Sequence, residues 1–281
     1  MSNNSLHKRE GCNIIKLKLY GKRGALMEKL VIKGKTLGEG KPLVCVPVME
    51  SSIEAVVEEI KYLAESGADM IEWRVDAFEH FRDCNAVRAV FEQTAPVLTD
   101  KIFLYTFRSR QQGGLAEITP ETLSDLHELA AESDCVDLVD MEFFAEKNPL
   151  RTLHRLHSMG MKVVASHHDF QETPTPEVMR MLLDRMCAGG ADIVKLAVMP
   201  KNPQDVLNLL AVTEAFKEEN PDTPVITMSM GKIGCISRLC GENFGSCVTF
   251  GAHKTASAPG QFEMNKLQDI LTTIHESNQE I

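Results

Sequence analysis

The stretch LVCVPVMESSIEAVVEEIKYLAESG, residues 43–67, decides how the chain is to be read. Seven residues rich in β-formers, LVCVPVM (43–49), run straight into a segment whose apolar residues recur at three- and four-residue spacing. The first pattern is that of a buried strand and the second that of an amphipathic helix. The turn between them reads ESS (50–52). An open doubly wound sheet usually carries a glycine-rich phosphate turn at that place, so the stretch favours a barrel.

The same unit repeats to the end of the chain. Further strand candidates are MIEWRVD (70–76), IFLYTF (102–107), CVDLVDME (135–142), KVVASHHD (162–169), DIVKLAVM (192–199), PVITMSM (224–230) and CVTFG (247–251). Amphipathic stretches such as PETLSDLHELAAES and PQDVLNLLAVTEAFKEE lie between them; Asn and Pro open several and Gly closes several, as helix boundaries do. Eight strands each followed by a helix, over about 240 residues, match the count and length of a (β/α)8 TIM barrel. No linker interrupts the pattern, so residues 27–281 are expected to form a single catalytic domain. Within it KLVIKGKTLGEGKP (29–42) reads as a short strand and turns covering the barrel floor. Residues 1–26 are basic and irregular and lack the apolar core and cleavage site of a signal peptide. They are expected to be a leader outside the working domain, with Met27 a candidate internal start.

Composition narrows the function. The chain has a formal net charge of −10 and no sustained basic stripe, which argues against a nucleic-acid partner. No run approaches the ~18–20 apolar residues of a membrane span. The eight cysteines contain no CxxC pair, and the three between Cys235 and Cys247 fit no common zinc spacing. The expected setting is the reducing cytoplasm, with free thiols acting as small apolar side chains.

In such barrels the C-terminal strand ends carry the active site and alternate side chains point inward. Parity in MIEWRVD puts Glu72, Arg74 and Asp76 on one face and Ile71, Trp73 and Val75 on the other, so the charged face is expected inside. The same logic groups Thr106 with Arg108 and Asp140 with Glu142. It alternates His168 with His167, and it places Met228 and Met230 on one face. Lys195 lies within an apolar strand, where an ammonium is costly. A strand lysine is more often an edge guard or a paired charge than a nucleophile, and Glu72 with Arg74 could be a structural ion pair. His154 and His157, three residues apart on a helix, read as surface residues. Taken together, however, the constellation has a chemistry. An amine in an apolar pocket beside guanidinium groups is favoured in its neutral form; it attacks a ketone, and the resulting protonated imine is an electron sink. A histidine then suits the proton transfers. The residues thus point to a Schiff-base aldolase or dehydratase that needs neither metal nor cofactor.

Six segments occur in order: EWRVD (72–76), TFRS (106–109), HDF (168–170), VKLAVMP (194–200), SRLCGENFGS (237–246) and SAPGQ (257–261). Together they resemble the type I 3-dehydroquinate dehydratases, from about Leu30 to the C-terminus. The resemblance implies dehydration of 3-dehydroquinate to 3-dehydroshikimate, the third step of the shikimate pathway. It makes Lys195 the imine-forming residue and His168 the general acid/base. It assigns the substrate's hydroxyls to Glu72, Arg74 and Arg108 and its carboxylate to Arg238. Ser257 and Gln261 fall on a loop that closes over substrate, with Met228, Met230 and Ala258 lining the pocket. One departure stands out: the family usually has a glutamate where RSRQQGG places Gln112. Asp140 is the expected carboxylate behind the site. Relatives of this kind are often homodimers. The alternatives are a class I aldolase, which would want a phosphate site in the last two strand–helix loops, and a catalytically silent barrel.

Overall fold

The computed structural model describes residues 29–279. The expected leader lies outside these residues. Eight parallel strands run β1 (Leu43–Val48), β2 (Met70–Arg74), β3 (Ile102–Thr106), β4 (Leu138–Glu142), β5 (Lys162–Asp169), β6 (Ile193–Val198), β7 (Val225–Ser229) and β8 (Val248–Ala252). Each pairs with the next as far as β7, and β8 returns to β1 with Val248 opposite Leu43. The remaining seam, between β7 and β8, carries no named ladder. It is closed by a bridge from Val225 to Ser246, by the Cys247 N–H donating to the Val225 carbonyl at 2.8 Å, and by the Thr227 N–H donating to Ser246 Oγ at 3.0 Å. A (β/α)8 barrel is the result.

Six helices follow the first six strands: α1 (Ile53–Glu65), α2 (Cys84–Thr94), α3 (Pro120–Glu132), α4 (Pro149–Ser158), α5 (Pro176–Ala188) and α6 (Pro203–Glu219). Their starts follow local chemistry. Ser52 caps α1 by accepting from the Ala55 N–H, Asn202 and Asp205 form a capping box on α6, and proline opens α3 to α6, where its missing N–H costs nothing. After β7 the expected helix is absent. One-turn helices at Gly231–Gly234 and Gly241–Phe244 flank a 3-10 turn at Cys235–Arg238. The glycines explain the difference: Gly231 starts the segment at a positive φ of 69°, outside the helical range, and Gly245 at 95° ends its last turn. The chain then passes β8 and a loop before α7 (Met264–Gln279).

Strand parity divides the core into two layers. Inward residues such as Cys45, Met70, Ile102, Leu104, Leu138 and Ile193 fill the lower barrel, while outward Val46, Ile71, Trp73, Tyr105, Val139 and Leu196 pack against the helices. The floor is covered as expected. Val31–Ile32 and Lys35–Thr36 form an antiparallel hairpin whose turn, Lys33 and Gly34, has φ of 48° and 75°, the twist that a two-residue hairpin favours. Leu30, Ile32 and Leu37 pack on the inner layer, and Lys33 Nζ donates to the carbonyls of Leu98 and Lys101 and pairs with Asp137 at 2.7 Å.

Trp73, the chain's one tryptophan, is fully buried, with edge contacts to Phe78, Phe91 and Tyr105 at centroid distances of 5.6, 5.5 and 5.6 Å. Trp73→Ala should lower the unfolding free energy by about 3–5 kcal/mol. Urea titration followed by far-ultraviolet circular dichroism measures this, and an unchanged midpoint would show that the ring is not part of the packed wall.

Candidate active site

Above the apolar layers the inward positions change character. They become Glu72 and Arg74 on β2, Thr106 on β3, Asp140 and Glu142 on β4, Ser166 and His168 on β5, and Lys195 on β6. Glu72, Arg74, His168 and Lys195, together with the loops above them, line a cavity of about 40 Å3 at the C-terminal end of the barrel. Lys195, His168, Glu72, Arg74, Arg108, Ser257, Gln261, Met228, Met230 and Ala258 all line it. Arg238 does not.

The buried charges are paired in a specific order. β2 ends at Arg74 and a 3-10 turn covers Val75–Ala77, so Asp76 is not the third rung of an alternating face as its spacing suggests. The turn folds Asp76 back onto Arg74, whose Nε and NH2 donate to its two oxygens at 2.8 Å each. Asp76 also accepts the backbone N–H groups of Arg108 and Leu115, which fixes the loop after β3. Arg108 reaches Asp140 at 2.7 Å, Glu142 at 3.0 Å and Ser166 Oγ at 3.0 Å. Burial acts against the Arg108 charge, but Asp140 and Glu142 overcome it and hold the guanidinium protonated. Burial likewise pushes the Asp140 carboxyl up, yet Arg108 and Lys195 outweigh it and hold it below the usual range.

Lys195 is 3% exposed. Its Nζ lies 3.6 Å from Glu72 Oε1, 3.6 Å from Asp140 Oδ2 and 4.4 Å from the centre of the Phe250 ring. This corrects the expected cation-lined surroundings, because carboxylates and an aromatic face are the nearest groups. Both carboxylates have other partners: Asp140 is held by Arg108 and by the Ser166 hydroxyl at 2.7 Å, and Glu72 accepts from Thr106 Oγ1 at 3.0 Å. At 3.6 Å both carboxylates pair with the nitrogen as charges, without a close hydrogen bond to it.

The two neighbouring histidines separate by parity. His167 points out of the barrel and meets Phe144 edge to face at 5.4 Å. His168 points in. Gln112 Oε1 accepts the His168 backbone N–H at 2.8 Å and lies 3.1 Å from Nδ1. An atom that accepts a backbone N–H is an oxygen, so Nδ1 must be the donor, and the Nε2 lone pair remains available. Burial pushes the imidazole well below its ordinary pKa, and the charges of Arg108, Lys195 and Arg74 push it further in the same direction.

Arg238 is buried at 2% exposure, and burial brings its pKa down to about 10. Its NH2 donates to the Pro259 carbonyl at 3.1 Å, NH1 sits 3.8 Å from Met228 Sδ, and Nε has no partner. The guanidinium therefore stands behind Met228 and the loop after β8, outside the cavity wall where sequence reading put it. In that loop Gln261 Oε1 accepts the Ser257 N–H and its Nε2 donates to Ser257 Oγ, so the two expected residues hold each other.

Sequence reading missed Phe250, Phe170 and Gly113 in the cavity wall. Parity in CVTFG gave a signal for Phe250. Gly113 is required because its φ is 86° and a Cβ there would meet the Phe170 ring at 2.3 Å. His154 and His157 are exposed as expected, and His157 bonds to Asp192 at 2.7 Å. Among the described residues no cluster of potential ligands would hold a metal ion, and no helix is long and apolar enough to cross a membrane.

A closed parallel barrel whose strand ends bring a buried amine, an imidazole and paired charges to one small cavity is the frame of an enzyme acting on a small polar molecule. The chain belongs to the type I 3-dehydroquinase family, whose sequence model matches residues 44–278. It is 44% identical over 250 residues to the 3-dehydroquinate dehydratase of Listeria monocytogenes, covering 89% of this chain and 99% of that one. The Klebsiella pneumoniae 3-dehydroquinate dehydratase is 42% identical over 86% of this chain and 97% of its own length. In structure the chain is similar to the type I 3-dehydroquinate dehydratase of Clostridium difficile, solved with covalent modified comenic acid. The TM-score is 0.85 at 40% identity, over 89% of this chain and 99% of that one.

Gln112 offers His168 an acceptor without charge. Gln112→Glu should stabilise the imidazolium and raise the His168 pKa. If neutral His168 is the working form, the acid limb of the kcat/KM profile must then move to higher pH. Profiles of the two proteins check this, and coincident acid limbs would assign that limb to another group.

Proposed function

We propose that the chain dehydrates 3-dehydroquinate to 3-dehydroshikimate, in the shikimate pathway, through an imine on Lys195. The observation that carries the reading is a buried amine, free of close hydrogen bonds, in the same cavity wall as an imidazole of fixed tautomer. The covalently modified ligand of the Clostridium difficile relative supports covalent chemistry at such a site.

The steps follow from the groups present. Lys195 Nζ, once it has released its proton to water, attacks the C3 ketone, and His168 assists the proton transfers of imine formation. The carbinolamine loses water to give a protonated imine, which draws electrons from the adjoining C2–H bond. His168 Nε2 takes the C2 proton to leave an enamine, the imidazolium returns that proton to the C1 hydroxyl as the C1–O bond breaks and water departs, and a second water hydrolyses the conjugated imine to restore the amine. Glu72, Arg74 and Arg108 offer their remaining polar atoms to the substrate's hydroxyls. Met228, Met230, Ala258 and Phe250 face its carbon skeleton. Ser257 and Gln261 close the mouth of the cavity. Arg238 is the partner for the carboxylate once Met228 or the loop moves aside; its unpartnered Nε leaves the bidentate geometry open. Family membership favours this reading over an aldolase, and the intact lysine and histidine favour it over a silent barrel. The same reading places the enzyme in the cytoplasm as a homodimer, a state that equilibrium sedimentation tests.

Borohydride added with 3-dehydroquinate should add a ligand-sized mass on the Lys195 peptide, and an active enzyme without that adduct would rule out the imine. Lys195→Ala should fold as the wild type does while forming no conjugated enone by ultraviolet absorbance. Residual turnover near the wild-type rate would move the nucleophile elsewhere.

A further inference from the structure

Glu59 has no part in the chemistry above, yet it is buried at 3% exposure on the barrel side of α1, among Val56, Val57, Ile60 and Leu63. A carboxylate in such a place is costly unless it is paired. Its two partners are consecutive. His253 Nδ1 lies 2.6 Å from Oε1 and Lys254 Nζ lies 2.7 Å from Oε2. Tyr62, one turn along α1, stacks on the His253 ring at 4.3 Å with planes 11° apart. Glu50, at the end of β1, adds a weaker contact to Lys254 at 3.9 Å.

His253 and Lys254 are the first residues after β8, and they begin the loop that brings Ser257, Ala258 and Gln261 to the cavity. The loop is held at two other places. Its far end, Phe262–Glu263, pairs with Gly251–Ala252. Its tip is held where the Pro259 carbonyl accepts from Gly231 N and Arg238 NH2, and where Gly260, at φ 80°, packs so close to the Gly231 carbonyl that a Cβ would lie 2.4 Å from it. Between β8 and the tip, residues 254 to 256 are exposed, and the Lys254 side chain keeps 49% of its surface in solvent. Among the described residues the root is tied to the body of the barrel through side chains, and its two closest polar ties, at 2.6 and 2.7 Å, end on one carboxylate. The Lys254 ammonium is held protonated above its ordinary range, first by its hydrogen bond to Glu59.

We propose that Glu59 is a positioning residue for the reaction: it tethers the root of the loop at 253–261 through His253 and Lys254, and so sets where Ser257 and Gln261 meet the substrate. The inference rests on the cavity being the substrate site, but the tether itself does not. Glu59→Gln keeps an acceptor for His253 and removes the charge that holds Lys254. The loop should then spend more time detached at its root and hold substrate less well, while the amine and imidazole stay in place.

Trypsin offers a readout independent of turnover, because Lys254 itself is a cleavage site at the root. In the full-length Glu59→Gln protein, mass spectrometry of a tryptic time course should show cleavage after Lys254 at least fivefold faster, with other sites unchanged. Steady-state kinetics should show KM for 3-dehydroquinate raised severalfold and kcat within about twofold. Unchanged cleavage after Lys254 would overturn the tether. Equal acceleration at every site would reduce Glu59 to a general stability residue. Selective acceleration with KM unchanged would overturn the link to substrate. If Glu59→Gln does not fold, His253→Gln, which keeps the Lys254 site, decides by the same readouts. Failure of the dehydratase reading would leave no turnover in the wild type while the tryptic comparison still stands.

Discussion

One ammonium among two carboxylates sets the terms for the rest of the molecule. Lys195 can be buried in the barrel because Glu72 and Asp140 face it, and those acids can be buried because Thr106, Ser166 and Arg108 hold them in turn. Arg108 needs Glu142 as well, and its own loop is fixed by Asp76. Removing one partner from such a set leaves a charge without compensation, which is far costlier than a lost surface pair. The upper barrel is therefore an interlocked polar network resting on an apolar plug. The plug of Cys45, Met70, Ile102, Leu104, Leu138 and Ile193 supplies the hydrophobic stability that the network does not.

The barrel could be read from sequence because its signal is local and repeated. Period-two runs such as KVVASHHD have no alternative pairing of faces, and the observed β5 (Lys162–Asp169) has the same limits. Parity also put Glu72, Arg74 and Lys195 inside and set His168 and His167 on opposite faces, and the resemblance chose His168 as the inward one. It failed where the backbone left the strand: nothing in MIEWRVD announces that Val75 begins a 3-10 turn, and Asp76 consequently becomes an anchor rather than a rung. The missing helix after β7 was foreshadowed by four glycines between 231 and 245, a signal that strand counting passed over.

Most residues that the resemblance named line the cavity, and Arg238 does not. Arg238 is the instructive case. Its number follows from SRLCGENFGS, whereas its position behind Met228 depends on the Pro259 carbonyl, an acceptor that belongs to the backbone and leaves no mark in a side-chain pattern. The same holds for the surroundings of Lys195, where the closest charges come from β2 and β4, strands that no local reading joins to β6. Pairwise chemistry between distant strands is where sequence reading ends.

The unladdered seam has a consequence for the order in which the molecule is made. With a bridge and a few hydrogen bonds towards β7 in place of a ladder, β8 owes its place to β1, the strand at the opposite end of the barrel sequence. Phe250 and the loop bearing Ser257 and Gln261 arrive with it. During synthesis the reactive amine thus emerges long before its aromatic wall and its cover, and the cup stays open on one side until the first and last strands meet. A ribosome-bound chain, however well its earlier strands have paired, holds its nucleophile without the enclosure that would aim it.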